Sequence, residues 1–215
     1  MPRAGRRATS RRRDVLRWLA LGDSYTIGEG VPEGARWPMQ VVAALRAHGI
    51  GFAEPRIVAT TGWTTDELAT AMAAAGLEPD VFDVVSLLIG VNNQDRGRDV
   101  DDYRGEFTGL LRRAIALAGG RADRVLVLAI PDWGVTPFGQ GSGRDTARIA
   151  RELDGFNAAA AAICAAHGVA FVDIAPVSRA HGATRVAEDG LHPSAALYSE
   201  WAALATPVVA GMFPR

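Results

Sequence analysis

A chain of 215 residues with 48% hydrophobic content is long enough to bury one sizeable core, and its length favours a single domain. A formal net charge of −1 offers no field for nucleic acid or an anionic membrane, and no run approaches the ~20 apolar residues of a membrane span. The lone cysteine, Cys164 in Ala-Ala-Ile-Cys-Ala-Ala, leaves no disulfide framework and no metal-ligand spacing, and is expected buried on a helix.

The charge is unevenly placed. Seven of the 23 basic residues, all arginine, precede residue 22 against one acid, Asp14, which leaves the remainder near −7. Residues 1–13 read as a flexible Arg-rich tail, and residues 14–215 as one domain. An export signal is disfavoured. Its only candidate apolar stretch, Val15 to Leu21, is interrupted by Arg17 and runs straight into Gly22-Asp23-Ser24. The cytoplasm is the expected compartment.

Val15 to Leu21 reads as a first strand, followed by the Gly22-Asp23-Ser24 turn and a Gly-rich loop to residue 36. Trp37 to Ala47 carries apolar residues at helical spacing and stops at Gly49. Ile57 to Ala59 is a short second strand. Thr61-Gly62-Trp63 follows, then Thr64 with Glu67 three residues on, the signature of a capped helix start. Phe82 to Ile89 is nearly all apolar, as in a strand buried on both faces of a parallel sheet. It ends in the polar cluster Gly90 to Gln94. A helix from Asp101 to Ala118 leads to a fourth strand, Arg124 to Ile130, and then a long loop at 131–145 carrying Trp133 and Phe138. Helix 146–166, strand Val169 to Val172, a long connection at 174–190 and a final helix from Ala195 to Gly211 complete the chain.

Five alternations of strand and helix without repeat or linker describe a three-layer αβα sandwich on a five-stranded parallel sheet. The flavodoxin-like order 2-1-3-4-5 is expected, because right-handed crossovers leave few topologies. In that order the first three strands are neighbours about 4.8 Å apart, and their polar carboxyl ends share one crevice.

Asp and Ser are ordinary turn formers, so Ser24 alone is unspecific. Late in the chain, Asp189-Gly190-Leu191-His192 spaces a carboxylate three residues before an imidazole. That spacing can fix the tautomer and leave Nε2 as a base. About 15 residues connect it to the fifth strand, with a reach of up to ~50 Å, enough to recross the sheet to Ser24. Ser24 Oγ would then attack an acyl carbonyl with His192 moving its proton. The oxyanion would meet the backbone N–H groups of Ser24 and Gly62 and the amide of Asn92. His48, His167 and His181 read as surface residues, and Asp23 as a residue that tightens the turn.

These four blocks, Gly22-Asp23-Ser24, Gly62, Gly90-Val91-Asn92 and Asp189-Gly190-Leu191-His192, resemble those of the SGNH (GDSL) hydrolase family in type and order, over residues 22–192. The resemblance implies esterase, lipase or thioesterase activity without metal or organic cofactor. It implies a triad of Ser24, Asp189 and His192 and an oxyanion hole of Ser24, Gly62 and Asn92. The family's third block usually ends Gly-X-Asn-Asp; here Asn93 stands in place of that Asp.

Trp133, Phe138 and Asn93 are candidate pocket residues. The expected substrate is a small carboxylic ester, short-chain or carbohydrate-borne, with lysophospholipid or acyl thioester as the alternative. A non-catalytic flavodoxin-like binding module is the competing class, weakened by a first turn with one glycine before Ser24 and no lysine. No nucleic-acid partner is expected, and the oligomeric state is left open.

Overall fold

The computed structural model describes residues 15–77 and 80–214. The Arg-rich segment 1–13 lies outside them.

Five strands form one all-parallel sheet: β1 (Trp18–Gly22), β2 (Arg56–Ala59), β3 (Val84–Leu88), β4 (Val125–Leu128) and β5 (Ala170–Val172), in the order β2-β1-β3-β4-β5. The three inner strands β1, β3 and β4 are buried at every residue, while β2 and β5 at the edges are half-exposed. This is why the inner strands read as continuous apolar runs. The one polar side chain within them, Ser86, accepts the indole N–H of Trp18 at 3.0 Å.

Helix α2 (Trp37–Ala47) connects β1 to β2. Helices α3 (Thr65–Ala74), α5 (Val100–Leu117) and α7 (Thr146–His167) connect successive strands from β2 to β5. Right-handed crossovers place α2 on one face and the other three on the opposite face. Accordingly α5 packs on α3 and α7, and the terminal α9 (Ala195–Gly211) packs along α2. The layers are those expected.

The differences are local. The strands are shorter than their apolar runs: β1 starts at Trp18, β3 spans Val84–Leu88 and β4 ends at Leu128. Four segments read as loops carry short helices: α1 (Ser24–Ile27), α4 (Val91–Asp95), α6 (Pro137–Gly141) and α8 (Ala175–His181). Helix α6 begins with Thr136 capping the Gly139 N–H at 3.1 Å and Pro137 at the first helical position, an arrangement that starts a turn of helix even in a loop.

The register of the strands sets the position of the site. Gly22 of β1 pairs with Ala59 of β2 on one side and with Leu88 of β3 on the other. The carboxyl ends of these three strands are therefore level, and β1/β3 is the point where strand order reverses, the usual ligand crevice of such sheets.

Candidate active site

Ser24 is the first residue of α1, at the end of β1, and is 4% exposed. Gly22 has no room for a side chain, since a Cβ would meet Thr26 Oγ1 and the Leu88 carbonyl. Asp23 caps α1, its Oδ1 accepting the Tyr25 N–H at 3.0 Å. Fully buried, its carboxyl is pushed up to about 7. Burial penalises the charged form, and the backbone hydrogen bonds only partly offset it. Asp23 thus shapes the turn that presents Ser24.

Gly62 lies in the turn after β2 with φ +86°, the left-handed region that glycine tolerates. Asn92, the second residue of α4, donates from its amide to the Trp63 carbonyl at 2.8 Å. An amide nitrogen carries two N–H groups, so one remains for a ligand.

His192 is 8% exposed and holds Asp189 Oδ2 at 2.6 Å through Nδ1. Asp189 Oδ1 accepts the backbone N–H groups of Leu191 at 2.8 Å and His192 at 3.0 Å, so one carboxylate both folds the turn and orients the ring. Burial opposes ionisation of Asp189. The hydrogen bonds from the His192 ring and from the Leu191 and His192 backbone outweigh it and hold the carboxyl below its ordinary range. The loop is pinned by Ala187 N–H donating to the His192 carbonyl at 2.7 Å.

Four of these residues share a cavity. Ser24, Gly62, Asn92 and His192 line one cavity of about 200 Å3, together with Trp133, Phe138, Tyr25, Thr61, Val91, Asp95 and Leu191. The Tyr25 ring packs against the imidazole in a T-shaped contact, with ring centroids 5.7 Å apart. Trp133 is 4% exposed, its indole N–H held by Gln94 at 2.9 Å, whereas Phe138 is 52% exposed beside it. The Phe138 backbone N–H donates to Gly190 at 2.9 Å, which ties α6 to the histidine loop. The sequence assigns no role to Tyr25, Thr61, Val91, Asp95 and Leu191. Thr61, Val91 and Leu191 lie inside the motif blocks and Tyr25 and Asp95 beside them, and that proximity is the available signal.

Asn93 is a correction. It is fully buried and does not line the cavity. Its Oδ1 accepts the Thr65 N–H at 3.1 Å and its Nδ2 donates to Thr65 Oγ1 at 2.6 Å, while the Thr65 hydroxyl donates to the Glu106 carboxylate. Asn93 Nδ2 also stands 3.4 Å from that carboxylate. A carboxylate at position 93 would oppose Glu106, whereas an amide donates toward it. The departure from the usual block thus has a local partner.

The other three histidines lie outside the cavity. Among them, His167 bonds the Ile163 carbonyl and His181 faces Glu200 at 3.4 Å. Among the described residues, no group of three or more His, Cys, Asp or Glu is placed to hold a metal ion. No described helix is long and apolar enough to cross a membrane.

Residues 20–199 match the model of the GDSL-like lipase/acylhydrolase family. The chain belongs to this family. It is thereby a hydrolase of the esterase and lipase type, and the non-catalytic binding module is set aside. Solved structures agree in fold. TesA superimposes with a TM-score of 0.71 at 20% identity, covering 92% of this chain and 99% of that one. A lipase/acylhydrolase from Enterococcus faecalis gives 0.69 at 20% identity, covering 92% and 96%. The acetylxylan esterase Axe2 from Geobacillus stearothermophilus gives 0.67 at 19% identity, covering 90% and 94%. No curated protein matches this GDSL hydrolase in sequence.

Proposed function

We propose that this GDSL hydrolase, working as one domain over residues 14–215, cleaves small carboxylic esters through Ser24, His192 and Asp189. The observation that carries the reading is the Asp189–His192 pair, 2.6 Å apart, opening on the cavity that Ser24, Gly62 and Asn92 also line. Asp189 fixes the Nδ1–H tautomer, leaving Nε2 to take the Ser24 proton as Oγ adds to the acyl carbon. The Ser24 and Gly62 N–H groups and the second Asn92 N–H meet the oxyanion. The imidazolium then protonates the leaving alcohol, and water repeats the sequence on the acyl-enzyme to release the acid.

Cavity size supports a short acyl group, since about 200 Å3 lies below the usual range for pockets that enclose drug-sized ligands. The leaving group must stand on the side of His192, which protonates it. Phe138, tied to the Gly190 carbonyl next to that loop, offers an exposed ring there. A flat apolar ring face on the alcohol, as on a sugar or an aryl group, fits it better than a flexible chain. This favours acetyl or short-chain esters of ring alcohols over lysophospholipids and long-chain thioesters.

A series of p-nitrophenyl esters from acetate to palmitate tests the reading. Activity is expected on acetate to butanoate, a steep fall beyond, and at least about a 10⁴-fold loss of kcat in Ser24→Ala. A preference for palmitate would overturn the substrate class, and full activity of Ser24→Ala would overturn the mechanism.

A further inference from the structure

Gly62 is held by hydrogen bonds rather than by packing around a side chain. A Cβ built on it would find one neighbour within 4 Å, the Arg96 Nη2 at 3.9 Å, so side-chain packing does not fix this glycine. Glycine has the most backbone freedom to lose, yet a donor to an oxyanion must be preorganised to act. Hydrogen bonds supply the constraint instead. Four consecutive residues of the turn are gripped in succession. The Gly62 carbonyl accepts from Arg96 Nη2 at 2.7 Å and the Trp63 carbonyl from Asn92 at 2.8 Å. The Thr64 N–H donates to Glu67 at 2.9 Å and the Thr65 N–H to Asn93 at 3.1 Å. Arg96 enters twice, because its guanidinium also pairs with Glu67 at 3.3 Å, the carboxylate that closes the α3 capping box.

We propose that Arg96, which follows α4, is a positioning residue that holds the Gly62 N–H in place for the oxyanion. The proposal rests on the reading of Gly62 as an oxyanion donor. The Arg96 side chain is 44% exposed and that of Glu67 41%. An ion pair so exposed contributes little to stability, so the expected consequence of losing it is kinetic rather than global. A guanidinium is suited to the task. Its planar fork reaches a carbonyl and a carboxylate together, whereas an ammonium acts as a single flexible point charge.

The test compares wild type, Arg96→Ala and Arg96→Lys on p-nitrophenyl acetate, with thermal unfolding of each. Arg96→Ala is expected to lower kcat by about 10- to 100-fold, the scale of a small misplacement of a catalytic group. KM should stay within about twofold, and Tm should hardly move. Arg96→Lys should recover only part of kcat. Millimolar guanidinium chloride should restore part of kcat to Arg96→Ala and none to Asn92→Ala. If Arg96→Ala keeps wild-type kcat while Ser24→Ala is inactive, the positioning role is overturned and the triad stands. If activity and Tm fall together without guanidinium rescue, Arg96 is a stability residue and the proposal also fails. Retained activity in Ser24→Ala would instead overturn the reading beneath it.

Discussion

On one side of Ser24, the turn after β2 hangs from α4 and α3 by a bond at every residue from Gly62 to Thr65. On the other side, residues 137–144 are held chiefly within their own loop, by the Gly139 N–H on Thr136 at 3.1 Å and the Gln140 amide on the Gly134 carbonyl at 3.0 Å, and they reach other elements through the Phe138–Gly190 backbone bond and the Arg144–Asp95 ion pair. In the proposed mechanism the first wall carries the oxyanion donors, and error there is costly. The second, in the same proposal, meets the alcohol, whose shape varies from substrate to substrate, and Phe138 there is half exposed. The turn is anchored on neighbouring helices and the Phe138 segment chiefly on its own loop, and the exposed ring falls on the second.

Substitutions can break this comparison in descending order of effect. Asp189→Asn keeps an acceptor for the Leu191 and His192 N–H groups but presents the wrong partner to Nδ1. A fall in kcat of about 10³- to 10⁴-fold is expected from steady-state kinetics, and an unchanged kcat would reduce the site to a Ser24–His192 pair.

Asp23 tests the floor between the walls. Its carboxyl is raised by burial to about 7, so the folded chain keeps a proton that the unfolded chain releases above about pH 4. The folded state binds more protons in that window, and its stability should therefore fall as pH rises from about 4 to 7 and level off above. Asp23→Asn retains the cap and cannot titrate, so its Tm should vary less with pH across the same window. An unchanged slope would contradict the burial argument.

At the first wall, Asn93→Asp should destabilise the fold by about 1–3 kcal/mol in denaturant titration, as a carboxylate is buried against Glu106. Glu106→Gln should relieve part of that loss in the double variant, and simple additivity would disprove the coupling. The smallest effect is expected at the open wall. Phe138→Ala should raise KM several-fold for acetyl esters of ring alcohols while leaving that for vinyl acetate within twofold. Equal effects on both would remove Phe138 from leaving-group recognition.

Much of this is legible in the chain. Helices Trp37–Ala47 and Ala195–Gly211 end where their apolar spacing and stop residues place them, and the strand order follows from alternation and handedness. Ser24, Gly62, Asn92, Asp189 and His192 stand out because short polar blocks after apolar strands are local signals. Asn93 is not legible as a buried tie, because its partners Thr65 and Glu106 lie 28 and 13 residues away, and nothing local distinguishes a lining amide from one that joins two helices. Arg96 is silent in the sequence for the same reason, since its meaning depends on a carbonyl 34 residues earlier. Helices α6 and α8 are hidden because five and seven residues carry too little periodicity to separate from loop.

The shortest route to the central claim is chemical. A fluorophosphonate probe, followed by peptide mapping of the adduct, reads the nucleophile and its base at once. The triad predicts an adduct on the peptide containing Ser24, formed far more slowly in His192→Ala and absent in Ser24→Ala. An adduct on another residue, or equal labelling rates in wild type and His192→Ala, would contradict it.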